Sequence, residues 1–219
     1  MTTQQDADLE ALLQWREGDR TAGDRLVKRY FGEIQRFFSR SVAEDVRQDL
    51  AQETFARLSK AKDRFQSNSS VRTFLFGIAR HILHDHYRQR HQQYDPITQT
   101  MEDVRGATPS RALADLQQHE RLLEGMQALP VDTKLMLEMY YWDDFTSEQL
   151  SEIYDIPAGT VRTRLHTART RLREAAAKAE SVKSAAAEPA AKTAQSDDDE
   201  IEARLRTIGR LLSSGPTAL

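Results

Sequence analysis

Residues 146–173, TSEQLSEIYDIPAGTVRTRLHTARTRLR, constrain the fold of this chain more than any other stretch. Thr146, Ser147, Glu148 and Gln149 fit a capping box: the Thr146 hydroxyl accepts from the amide three residues on, and the Gln149 side chain reaches back. Leu150, Ile153 and Tyr154 give the first helix an apolar stripe. Ile156-Pro157-Ala158-Gly159 interrupts it, and Pro157 suits the first turn of a second helix. Val161, Leu165, Ala168 and Leu172 recur at helical spacing and form one buried face. The other side of that helix carries Thr160, Arg162, Thr163, Arg164, His166, Thr167, Arg169, Arg171 and Arg173. A short capped helix packed under a basic, Thr-rich helix is a helix-turn-helix, which lays its second helix in the major groove of DNA. An ordinary helical hairpin with a solvated basic face is the alternative, but it has no need of such one-sided arginine density.

Bulk charge does not point to nucleic acid, since the formal net charge of the 219 residues is −3. DNA binding must therefore come from local asymmetry, and the basic helix supplies it. The chain has no cysteine, which excludes disulfides and thiolate metal sites and fits a reducing cytoplasm. The opening MTTQQDADLE is polar and acidic, unlike a signal peptide, and no run approaches the roughly 20 apolar residues of a membrane span. Glycine and proline are sparse and apolar residues recur at helical spacing, so an all-α fold is expected.

In chain order, Leu9, Leu12, Leu13 and Trp15 mark a short helix ending near Gly18, and Leu26, Tyr30, Ile34, Phe37 and Phe38 a longer one. Aromatics at that spacing read as core. Residues 44–62 form a third helix with Val46, Leu50, Thr54 and Leu58 on one face, Phe55 beside it, and Asp49, Gln52 and Glu53 outside. Exposed carboxylates are usually solvation, with partner binding as the sharper reading. Residues 63–70, DRFQSNSS, are a polar loop whose Ser and Asn side chains favour turns.

Residues 71–93 form a helix with Phe74, Leu75, Ile78, Ile82 and Leu83 as its apolar stripe. Arg72, Arg80, Arg88 and Arg90 surround the stripe, with His81, His84, His86 and His91. Arginine for phosphates beside aromatics for stacking suits single-stranded DNA. The histidines do not make a metal site: His84 and His86 are two residues apart and face different ways. No metal or other cofactor is expected.

Residues 94–112, with Pro96, Gly106 and Pro109, read as a flexible linker and domain boundary. Helical spacing resumes over 113–129 and again over 132–142, so the second domain is a four-helix unit, residues 113–175, that includes the helix-turn-helix. Residues 176–219 hold an Ala- and Lys-rich tether and then an amphipathic helix led by Asp197-Asp198-Asp199-Glu200, with Ile201, Leu205, Ile208, Leu211 and Leu212 on one face. Such a helix docks on this protein, on a partner or on a second copy, or stays disordered.

Taken together, DLAQETFARL (49–58), VRTFLFGIARHILHDHYRQR (71–90) and LPVDTKLMLEMYYWDDFTSEQLSEIYDIPAGTVRTRLHTARTRLR (129–173) resemble, in this order, bacterial RNA polymerase sigma factors of the extracytoplasmic-function (ECF) type in the sigma-70 family. The resemblance covers about residues 8–175. It implies a region 2-like domain over residues 1–93, a linker over 94–112 that threads toward the RNA-exit path, and a region 4-like domain over 113–175, with the tail 176–219 outside the usual plan. It further implies that the chain binds core RNA polymerase and brings it to promoter DNA. Asp49, Gln52 and Glu53 would contact the polymerase clamp. Ser67, Asn68, Ser69 and Ser70 would receive a base flipped from the melted minus-ten element. Arg72, Phe74, Arg80, His81, Arg88 and Arg90 would hold the nearby strand and phosphates. Thr160, Arg162, Thr163, Arg164, His166 and Arg169 would lie along the minus-thirty-five major groove. An anti-sigma factor is a further candidate partner, and the expected location is the cytoplasm without membrane insertion. By analogy with regulatory C-terminal extensions, the tail would tune activity. Two departures from the family pattern are Gln48, where an acidic residue is usual, and Phe74, where tryptophan is common.

Two other readings compete. A free-standing helix-turn-helix regulator would carry a receiver or ligand domain upstream, and residues 8–93 show no alternation of strands and helices. An enzyme would need convergent nucleophile, base or metal groups. The chain has no cysteine and no Gly-rich phosphate loop, so no catalysis is expected.

Overall fold

The computed structural model describes residues 2–66, 69–91, 94–100, 120–183 and 194–213. The chain divides into two compact units, Met1–Tyr94 with Glu152–Asp155, and Asp95–Ser151 with Ile156–Leu219. Among the described residues the fold is all-α, and the one β-type pairing is an isolated bridge between Thr100 and Pro130.

The first unit holds α1 (Thr2–Arg16), α2 (Arg20–Ser39), α3 (Glu44–Ala61), a short 3-10 turn (Lys62–Arg64) and α4 (Val71–Arg90). Gly18, at φ +106°, makes the α1–α2 turn, a conformation that costs glycine little. Asp19 then caps α2, its carboxylate accepting from the Thr21 amide at 2.8 Å. Gly23 lets α2 cross α1 closely, since a Cβ there would lie 2.5 Å from the Trp15 ring. The core is built from Leu12, Leu26, Ile34, Phe37, Phe38, Leu58, Leu75, Phe76 and Ile82, each no more than 1% exposed. Phe37 meets Phe76 edge-on at 5.8 Å, which ties α2 to α4. A buried carboxylate, Asp8, is satisfied by Arg29 at 2.6 Å and the Tyr30 hydroxyl at 2.5 Å. Tyr87 donates to the Ser41 carbonyl and fastens α4 to the end of α2.

Two helix faces are rotated from the sequence expectation. In α3 the buried positions are Ala51, Thr54, Phe55 and Leu58, with Val46 and Leu50 at the rim. In α4, packed by three helices, the buried set widens to Val71, Thr73, Leu75, Phe76, Ala79, Ile82, Leu83, His84 and Tyr87. Phe74 and Ile78 sit at its edge. His84 is therefore a core residue, its Nδ1 2.7 Å from the Tyr94 hydroxyl, and not part of a basic surface.

The second unit holds α5 (Glu120–Gln127), α6 (Val131–Trp142), the first part of α7 (Ser147–Tyr154), α8 (Ala158–Lys183) and α9 (Ala194–Ser213). Residues 95–100 are anchored to the start of α6: the amides of Val131 and Asp132 donate to the carbonyls of Gln99 and Pro96, each at 2.9 Å. The part of the expected linker and helix that spans 101–119 lies outside the described residues. Helix α6 is buried on nearly every side, so its one cation, Lys134, and its neighbour Glu138 pair at 2.5 Å with 2% of either side chain exposed. Burying one without the other would cost several kcal/mol, which is why they come as a pair. Tyr141, rather than Tyr140, faces the core.

The expected capping box is present. The Gln149 amide donates to Thr146 Oγ1 at 3.2 Å, and the Thr146 amide donates to Gln149 Oε1 at 2.9 Å. Asp155, at φ 52°, ends α7, with the Ile156 amide bonded to the Ser151 carbonyl at 3.2 Å. The break thus spans Asp155–Pro157, starting one residue ahead of the expected Ile156–Gly159, because a short polar side chain tolerates the left-handed conformation that closes a helix. Val161, Leu165, Ala168 and Leu172 are 0–3% exposed, as their spacing predicts.

Helix α9 packs on α6 and α8. Ile201, Leu205 and Ile208 are buried, while Leu211 is 42% exposed. The indole Nε1 of Trp142 donates to the Leu205 carbonyl at 2.9 Å. Gly209 makes that approach possible, since a Cβ there would lie 2.5 Å from Trp142 Cδ1.

Candidate nucleic-acid interface

Three separate surfaces carry the residues singled out by sequence. On α3, Asp49, Gln52 and Glu53 all lie on the exposed side. Glu53 pairs with Arg57 of the next turn at 2.8 Å, and Arg57 reaches on to Asp85 of α4 at 2.7 Å. Asp85 also accepts from Arg88 at 2.9 Å. Burial pushes the Asp85 carboxyl up, but the bond to Arg57 and the charges of Arg57 and Arg88 outweigh it, so the group titrates below its ordinary value. Neither Arg57 nor Asp85 stands out in the sequence, although the i,i+4 spacing of Glu53 and Arg57 is a visible signal.

At the start of α4, Ser70 is the N-cap, its Oγ accepting from the Thr73 amide at 3.0 Å. Ser69 is half-buried beside it, and Ser67 and Asn68 lie outside the described residues. Arg72 binds Glu33 of α2 at 2.8 Å and lies over the Phe76 ring at 5.1 Å from its centroid. Its guanidinium is thereby held in place at the loop. Phe74 meets Phe65 edge-on at 5.2 Å, so an aromatic pair lines the same loop. Further along α4, Arg80 is half-buried and His81, Arg88 and Arg90 are exposed. Desolvation, then the charge of Arg80, hold the His81 imidazole below its ordinary 6.5, which leaves it neutral at pH 7. The structure brings Arg72 and Phe74 to the loop, while Arg80, His81, Arg88 and Arg90 follow along the helix toward its C-terminal end.

On α8, Arg162, Thr163 and His166 are exposed, and Thr160 and Arg164 are half-buried. Arg162 pairs with Glu148 of α7 at 3.0 Å, both side chains more than half exposed, so the pair is readily exchanged for another anion. Thr163 bonds back to the Gly159 carbonyl at 3.0 Å. Arg169 departs from the rest. Its side chain is 18% exposed, and its Nη1 donates to the Tyr141 hydroxyl at 2.9 Å and lies 3.2 Å from Glu202 of α9. No sequence spacing could pair Arg169 with a residue on the far side of the tether. Burial pushes the Tyr141 hydroxyl up to about 12 although Arg169 pulls the other way, so Tyr141 is a neutral partner at any physiological pH.

Comparison with known proteins agrees with this geometry. The family model described as Sigma-70 region 2 matches residues 26–93, and that described as Sigma-70, region 4 matches residues 119–172. Both family matches end before α9. The chain is 29% identical over 180 residues to the RNA polymerase sigma-H factor of Pseudomonas aeruginosa, covering 77% of this chain and 92% of that one. It is 27% identical over 174 residues to the ECF RNA polymerase sigma factor SigW of Bacillus subtilis, covering 74% and 93%. Among solved structures it is similar to CnrH in complex with the cytosolic domain of CnrY (TM-score 0.57, 20% identity, 76% of this chain and 94% of that one). It is also similar to the sigma factor RpoE in complex with the anti-sigma factor NepR from Bartonella quintana (TM-score 0.52, 21% identity, 69% and 94%). With region 2 and region 4 matched in order across more than half of its length, and with relatives of the ECF type along most of it, this chain belongs to the sigma-70 family as an ECF-type sigma factor.

Proposed function

We propose that this sigma factor directs promoter-specific initiation through the three surfaces described above, each with one task. Asp49, Gln52 and Glu53 on α3 dock on the clamp of core RNA polymerase, where complementary charge steers the encounter. The loop at 65–70, with Ser67, Asn68, Ser69 and Ser70, takes a base extruded from the melted minus-ten element, and unstacking that base costs a few kcal/mol that the pocket must return. Arg72, Phe74, Arg80, His81, Arg88 and Arg90 hold the adjoining strand, arginines on phosphates and the aromatic ring against bases. Thr160, Arg162, Thr163, Arg164 and His166 face the minus-thirty-five major groove, where an arginine bidentate to guanine is worth about 1–3 kcal/mol of discrimination, while Arg169, expected among them, is engaged by Tyr141 and Glu202. The chain has no catalysis of its own. It acts in the cytoplasm with the polymerase, and an anti-sigma factor, such as the one bound in the related RpoE–NepR structure, is its expected antagonist.

The observation that carries this reading is the joint presence of an exposed acidic α3 face, a cation-and-aromatic α4 and a basic α8 in one chain that matches both sigma regions. The region 2 match over residues 26–93 sets aside the free-standing regulator, which would have no use for such a domain. Purification with core polymerase, followed by sequencing of the promoters retained, tests the proposal: a defined pair of elements should be enriched. Capture of no polymerase, or of DNA without sequence preference, would refute it.

A further inference from the structure

Arg162, His166, Arg169 and Arg173 recur at helical spacing on one side of α8, yet Arg169, unlike the exposed Arg162 and His166, is turned into an intramolecular anion site. Its guanidinium is shared between Tyr141 of α6 and Glu202 of α9. The same patch is closed from above by Arg206, whose guanidinium lies 5.3 Å from the centre of the Tyr141 ring. Helix α9 is placed there by the burial of Ile201, Leu205 and Ile208 and by the Trp142–Leu205 hydrogen bond beside Gly209. A glycine at that one position, opposite a tryptophan whose N–H needs a buried acceptor, marks α9 as fitted to this groove.

The chemistry at Arg169 is a choice between two anions. A carboxylate and a phosphate take the same fork of guanidinium donors. Arg169 can bind Glu202 or a DNA phosphate, and with α9 in place the carboxylate has the position. The exposed Asp199 and half-exposed Glu200 on the same helix add negative charge to the unit that would approach DNA. We propose that α9 is a built-in latch on the helix-turn-helix unit: docked along α6 and α8, it holds Arg169 through Glu202 and weakens duplex binding, and its release returns Arg169 to the α8 reading face. This inference rests on the assignment of α8 to duplex DNA.

Two readouts on the full chain test it. In a Trp15→Phe background Trp142 is the sole tryptophan, and its emission reports whether α9 is seated, without any DNA. Affinity for a short duplex of random sequence, titrated with NaCl, reports the free cations. Glu202→Gln should leave the emission unchanged and tighten duplex binding about tenfold, the scale of one additional charge-assisted hydrogen bond to DNA. The slope of log affinity against log salt should steepen by about 0.9, the value of one more neutralised phosphate. Leu205→Glu should shift Trp142 emission to the red and tighten binding at least as much, with far-UV circular dichroism confirming that the other helices persist. Glu200→Gln removes the same charge from the same helix, at a carboxylate that pairs with Arg204, and should change binding much less. Combining Glu202→Gln with Arg169→Ala should abolish the tightening. Equal effects of Glu200→Gln and Glu202→Gln, or a Glu202→Gln chain with unaltered affinity and slope, would overturn the latch. If Arg162→Ala still weakens binding in that case, the DNA assignment of α8 stands without it. If Arg162→Ala and Arg164→Ala are also silent, both fall together.

Discussion

At the scale of single residues, the account depends on where each charge finds its partner. Asp85 is the joint between α3 and α4, bonded to Arg57 and Arg88. Because its folded-state titration lies below the ordinary 3.8, the stability it contributes is present above that value and is lost as pH falls through the folded one. Asp85→Asn should therefore lower stability at pH 7 by about 1 kcal/mol, the upper end for a partly exposed network. Urea melts of parent and variant should converge as pH drops below 3.8; a gap that persists there would show that the loss is not electrostatic. On α8, Arg162→Ala or Arg164→Ala should each reduce discrimination between minus-thirty-five sequences by about 1–3 kcal/mol while polymerase binding is spared, as measured by competition between promoter duplexes. Local partners such as Thr146 with Gln149 are legible in the sequence because a capping box spans only three residues. The partners of Arg72 on α2, of Arg57 on α4 and of Arg169 on α9 are not, since periodicity places a residue on a face without saying which element covers it.

At the scale of elements, periodicity identifies the centre of a buried stripe and misses the residues that further neighbours cover. Val161, Leu165, Ala168 and Leu172 of α8 are buried as their spacing predicts, although α5, α6 and α9 all pack on that helix. Helix α4, packed by three helices, buries Phe76, His84 and Tyr87 besides Leu75, Ile82 and Leu83 of its expected stripe, so His84 looks more exposed in sequence than it is. Helix α6 is buried almost all round, so no stripe could mark its contacts, and the Lys134–Glu138 pair in its middle has no signature beyond i,i+4 spacing. The turn into α7 makes a direct test of local chemistry. Thr146→Ala removes the acceptor for the Gln149 amide and should cost about 1 kcal/mol of thermal stability, and Thr146→Ser should restore most of it. A neutral Thr146→Ala would mean that the tertiary packing of α7, rather than its cap, sets the angle at which α8 is presented.

At the scale of the whole molecule, two helical units share one chain, and the function comes from that pairing. The first unit carries the acidic face of α3 and the cationic α4. The second carries the basic α8 and, packed against it, α9. Family membership is readable from motif order alone, because sigma regions 2 and 4 are local helical patterns that survive at 26–29% identity. The seating of α9 is not, because an amphipathic helix after a tether has the same pattern whether it docks on its own chain or on another. The central claim is that the chain acts as the specificity subunit of RNA polymerase, held by the exposed face of α3. Co-purification of core polymerase with the full chain, compared with a chain carrying Asp49→Arg and Glu53→Arg, tests it most directly. The account predicts stoichiometric capture by the parent and loss of capture by the variant at unchanged circular dichroism; a parent that ignores the polymerase, or a variant that binds it as well as the parent, would contradict it.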